Sequence, residues 1–161
     1  MKKIFIICLI TSSSILLAQN NQLPDVKIKN INGSKVSAST ISNNAAPMAI
    51  IFWSTTCHHT INGLDEIAEL IADWEEEIKF KMIIVSTDDT RSSGKVPAFV
   101  NGKGWDFDCY LDENGDFRRA LNVNNAPHIL VLDSNYKTIF SQPTFNIGDE
   151  EVIYNHLESA Q

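Results

Sequence analysis

Phe52-Trp53-Ser54-Thr55-Thr56-Cys57-His58-His59-Thr60 is the stretch that decides how this chain is read. It is preceded and entered by Met48-Ala49-Ile50-Ile51-Phe52-Trp53, an unbroken apolar run of strand length suited to a central strand covered on both faces. From Thr60 onward, Ile61, Leu64, Ile67, Ala68, Ile71 and Trp74 recur at helical spacing, with Asp65, Glu66, Glu69 and Asp73 on the opposite side. Cys57 therefore stands where a buried strand gives way to an amphipathic helix.

The rest of the chain continues the alternation. Residues 26–30 and 35–37 flank Asn32-Gly33, a strong turn signal, and predict an opening β-hairpin. Residues 80–86 read as a second buried strand. Residues 90–100 read as a helix whose limits Gly94 and Pro97 blur. A short strand over 107–111, a turn at Asp112-Glu113-Asn114-Gly115 and a short helix over 116–123 follow. Residues 129–132 and 137–141 predict a hairpin around Ser134-Asn135, and 150–159 a closing helix. This order predicts an α/β fold, a central mixed β-sheet flanked by helices with the hairpin at its N-terminal end.

At 161 residues, 43% apolar and 20% charged, the chain is long enough for one core and too apolar for disorder. Its start has the form of a secretory signal peptide over residues 1–18: Met1-Lys2-Lys3, apolar residues 4–10, a Ser/Thr stretch, then Ile15-Leu16-Leu17-Ala18. The apolar run is broken by hydroxyl residues and is short for a membrane span. The domain is expected over 19–161 and its location outside the cytoplasm, periplasmic in the first instance and secreted as second choice. Membrane contact is expected only through an uncleaved signal.

Cys8 leaves with the signal, so Cys57 and Cys109 remain in a setting where disulfides persist. Without Lys2 and Lys3 the balance is 11 basic against 20 acidic residues, a net charge of about −9. That charge argues against nucleic acid as a partner.

A thiol at a helix N-terminus meets unpaired backbone N–H groups and the positive end of the helix dipole, which favour thiolate over thiol. His58 or His59, if protonated, acts in the same direction. Thr60 lies one turn along, from where its Oγ1 can donate a hydrogen bond to the Cys57 thiolate, or simply cap the helix. The two roles are compatible.

Together, Ile50-Ile51-Phe52-Trp53, Cys57, Leu111-Asp112-Glu113-Asn114-Gly115-Asp116 and Asn125-Ala126-Pro127-His128-Ile129-Leu130-Val131-Leu132-Asp133 carry a family resemblance. From about Leu23 to its end, the chain resembles the TlpA/ResA-type thioredoxin-like proteins, exported disulfide reductases of the AhpC/TSA-redoxin superfamily. The resemblance implies a thioredoxin-like fold and a cis peptide bond at Pro127, which faces the active cysteine. It also implies that Ala126 and Pro127 lie beside Cys57, bordering the substrate groove. Trp53 reads most simply as a core aromatic, although its closeness to Cys57 also makes it a candidate for that groove, and no bound cofactor is expected.

One departure matters most. Thr60 occupies the place of the family's second cysteine, and a hydroxyl cannot release a mixed disulfide. The resulting expectation is a monothiol site, with Cys57 as nucleophile, acting in thiol–disulfide exchange on proteins or small thiols as a monomer. A Cys57–Cys109 disulfide stays open as an alternative, with Cys109 otherwise a packed strand residue.

So do three other functions. A copper- or zinc-binding module would use Cys57, His58, His59 and His128, although consecutive helical residues diverge by about 100° and cannot easily share an ion. A one-cysteine peroxidase would use Ser54, but Ile50 stands where that family has proline, and Arg91, Arg118 and Arg119 have no assigned role. A catalytically inactive binding scaffold is the third.

Overall fold

The structure is a computed structural model that describes residues 21–161; the signal peptide expected over 1–18 lies outside the described residues. Seven strands form one sheet: β1 (Lys27–Asn30), β2 (Lys35–Ser37), β3 (Met48–Trp53), β4 (Lys81–Ser86), β5 (Asp108–Leu111), β6 (His128–Leu132) and β7 (Thr138–Gln142). Their order across the sheet is β2-β1-β5-β4-β3-β6-β7. β4 runs parallel to both β3 and β5, whereas β6 and β1 are antiparallel to their neighbours, so the sheet is mixed. The four helices are α1 (His58–Glu77), α2 (Val96–Lys103), α3 (Asp116–Ala120) and α4 (Asp149–Ser159).

The strand-long apolar runs are explained by cover on both faces. Every residue of β3 and β6 is buried. On one face Ala49, Ile51 and Trp53 pack with Ile61, Leu64 and Ile67 of α1, Val96 and Val100 of α2, and Ile153 and Leu157 of α4. On the other, Met48, Ile50 and Phe52 pack with Leu23, Ile28 and Phe117 of α3. Each fully buried aliphatic side chain contributes on the order of 2 kcal/mol of hydrophobic stabilisation. Among the described residues no helix is long and apolar enough to cross a membrane.

Several limits differ from the sequence reading. α1 begins at His58, two residues before Thr60, so Thr60 lies inside its first turn. α2 begins at Val96 rather than at residue 90, after a 3-10 turn at Ser93–Lys95. Pro97 sits in its first turn, where the missing N–H has no helical partner to lose. α3 ends at Ala120 because Leu121 leaves helical geometry and Asn122 turns left-handed, at φ 59°.

Candidate functional site

β3 delivers Trp53 to the end of the sheet, and a four-residue turn then lifts the chain onto α1. The Cys57 N–H donates to Ser54 O at 3.1 Å, closing that turn, and the Ile61 N–H donates to Cys57 O at 3.1 Å, opening the helix. Cys57 is the N-cap residue, with extended φ −94° and ψ 91°, and its side chain is half-buried. The first turn of α1 contains no acidic residue, so no carboxylate competes for the positive helix end.

Thr60 is completely buried, and its Oγ1 donates to Cys57 Sγ at 3.1 Å. Sulfur and hydroxyl are thus neighbours one helical turn apart, Cys57 half-buried and Thr60 fully so. His58 and His59 head α1 with exposed side chains.

The Ala126–Pro127 bond is cis. Phe52 of β3 is paired with His128 of β6, which sets Ala126 and Pro127, both half-buried, at the end of the sheet where β3 opens towards Cys57. His128 is buried, with Nε2 2.9 Å from Ser141 Oγ on β7, and burial lowers its pKa by penalising the charged ring.

One expectation is corrected, and one open alternative is answered. Trp53 does not line a groove: it is fully buried, against Trp105 at 5.3 Å and Phe99 at 5.7 Å between ring centroids. It backs the turn from inside, and its indole N–H meets no acceptor among the described residues. Cys109 does not pair with Cys57; both are free thiols. Cys109 is buried on β5 and aligned through Ile84 with Ile51 of β3, six residues before Cys57. Two strand spacings alone separate them by roughly 10 Å, beyond disulfide reach.

Among the described residues no three His, Cys, Asp or Glu side chains are grouped as a metal would need. The Arg118 guanidinium is held by the carbonyls of Val123 and Asn124, and Arg119 pairs with Asp116 at 2.7 Å. A cavity of about 300 Å³ at the hairpin, lined by Lys27, Lys29, Lys35 and Glu113, does not include Cys57.

A residue that sequence reasoning missed stands directly behind the turn. Asp88, just beyond β4 and buried, accepts hydrogen bonds from the N–H and hydroxyl of Thr55. In the sequence it is one of two aspartates in Ser86-Thr87-Asp88-Asp89-Thr90, which reads as an ordinary polar loop, and its partner is 33 positions away.

Comparison with known proteins places this arrangement. Residues 20–155 match the AhpC/TSA family. The chain belongs to the AhpC/TSA family. No curated protein matches it. Among solved structures, this AhpC/TSA chain is similar to an uncharacterized thioredoxin-like protein from Porphyromonas gingivalis, with 34% identity, a TM-score of 0.74, and 86% of this chain and 90% of that one covered.

A secreted Mycobacterium tuberculosis disulfide oxidoreductase homologous to E. coli DsbE is 14% identical, with a TM-score of 0.66 over 84% of this chain and 96% of that one. A bacterioferritin comigratory protein of Xanthomonas campestris, described for alkyl peroxide reduction, is 15% identical, with a TM-score of 0.69 over 86% and 96%. At such identities the last two establish a shared fold and no chemistry. The fold of this AhpC/TSA member is thioredoxin-like, as the sequence reading expected.

Proposed function

We infer that the protein is an exported, TlpA/ResA-type member of its family that carries out thiol–disulfide exchange through one reactive cysteine. The observation that carries this reading is Thr60 Oγ1 lying 3.1 Å from Cys57 Sγ at the N-terminus of α1. The position that would hold a resolving thiol instead holds a donor that stabilises a sulfur anion.

In the forward step the Cys57 thiolate attacks one sulfur of a substrate disulfide. A Cys57–substrate S–S bond forms, the substrate S–S bond breaks, and the leaving thiolate takes up a proton. An external thiolate then attacks the substrate sulfur of that mixed disulfide and returns Cys57 as thiolate. The disulfide passes on to the external thiol, so the partners are disulfide-bearing proteins and small thiols.

Ala126 and Pro127 border the groove that receives the substrate, and His58 and His59 favour the thiolate when protonated. Met1-Lys2-Lys3 and the apolar residues after it support a periplasmic location, reached by cleavage after Ala18.

Insulin reduction by dithiothreitol tests the reading. The wild type is expected to turn over poorly and Thr60→Cys at least several-fold better, because it supplies the missing resolving thiol. No gain in Thr60→Cys would mean that Cys57 is not a redox nucleophile, leaving the protein as a binding scaffold.

A further inference from the structure

The turn that presents Cys57 is fastened to the sheet at its back. Asp88 Oδ2 accepts from the Thr55 backbone N–H at 2.9 Å and from the Ser86 hydroxyl at 2.8 Å, while Oδ1 accepts from the Thr55 hydroxyl at 2.7 Å. The Asp88 N–H donates to Ser86 Oγ at 3.1 Å. Both oxygens of a carboxylate only 6% exposed are engaged, and two of its three bonds go to one residue two positions before the cysteine. Hydrogen bonds to an ionised acceptor are roughly twice as strong as neutral ones, and stronger still when shielded from water. Beside them, the N–H and hydroxyl of Thr87 donate to Trp53 O at 2.8 and 3.1 Å, fixing the end of β3.

We propose that Asp88 is a positioning residue for Cys57, which by gripping Thr55 at two atoms fixes the 54–57 turn and holds the sulfur over the first turn of α1. This rests on the reading of Cys57 as the reacting thiol. Releasing Thr55 lets the turn relax, moves the sulfur away from the helix N-terminus and Thr60, and removes the contacts that favour its anion.

Charge alone predicts the reverse. A carboxylate near a thiol opposes its ionisation, so deleting Asp88 would make Cys57 faster if only charge mattered. The titratable groups on the turn of α1 that Cys57 caps are His58 and His59, both exposed and common to every variant below.

The test is the rate constant for iodoacetamide alkylation of Cys57 in the full chain, followed by peptide mapping so that each cysteine is counted separately. It is measured near pH 7 and at about pH 10, the second lying above the ordinary thiol pKa of about 8.5. Thr55→Val and Asp88→Ala are expected to slow the reaction by roughly fivefold to tenfold near pH 7 and to converge on the wild type at about pH 10. Thr55→Ser, which keeps the hydroxyl, should restore most of the loss.

Wild-type rates in Thr55→Val, acceleration in Asp88→Ala, or equal slowing at both pH values would overturn the proposal. If Asp88→Ala fails to fold, the Thr55→Val and Thr55→Ser pair decides. A wild-type Cys57 no faster near pH 7 than in the urea-unfolded chain brings down the thiol-exchange reading too; a fast wild type with an indifferent Thr55→Val brings down the positioning role alone.

Discussion

Cys57 and Cys109 are the same functional group in opposite surroundings. Cys57 caps a helix at the surface, whereas burial pushes the Cys109 thiol from its ordinary 9.0 up to about 12. The sign of the consequence follows from which state ionises first. Above pH 9 the unfolded chain gives up the Cys109 proton more readily than the folded one. The stability tied to that thiol is therefore intact below pH 9 and drains away as pH rises towards 12, on the order of 1 kcal/mol per unit. Urea unfolding at pH 8 and at about pH 10 should show a steeper loss in the wild type than in Cys109→Ala. Parallel slopes would mean that the thiol titrates alike in both states. The same contrast shows what single residues reveal. Cys57 was legible because an apolar run ends just before it and helical spacing begins just after it. Asp88 was not, since only folding brings it to Thr55.

The elements were legible wherever periodicity was long. β3 and the body of α1 follow from unbroken or regularly spaced apolar residues, but their ends depend on local geometry that the pattern does not encode. Three residues of α1, His58, His59 and Thr60, precede its first apolar position, Ile61, and the two histidines carry no helical signal of their own. Gly63 in the same helix is the point where an aromatic ring docks. A Cβ built there would overlap the ring of Phe145, which is buried in the segment between β7 and α4. Gly63→Ala gains up to about 1 kcal/mol of helix propensity but must displace that ring, a cost of about 1–3 kcal/mol, so a net loss is expected. A thermal melt of Gly63→Ala higher than that of the wild type would show that the ring moves freely.

For the molecule as a whole, the strand order separates the two described thiols more than the sequence could show, because the position of β4 between β3 and β5 is set by crossovers rather than by spacing. Mild oxidation of a Cys8→Ser chain should therefore give a Cys57-linked dimer on a non-reducing gel, lost in Cys57→Ser and retained in Cys109→Ala. A fast-migrating monomer with an internal bridge would contradict this arrangement. The hydroxyl seated behind the reactive sulfur has one more consequence. If Cys57 exchanges disulfides as proposed, a captured molecule finds no second thiol at position 60 to release it, so its residence time follows whatever low-molecular-weight reductant the surroundings contain, and the complex acts as a gauge of ambient redox supply.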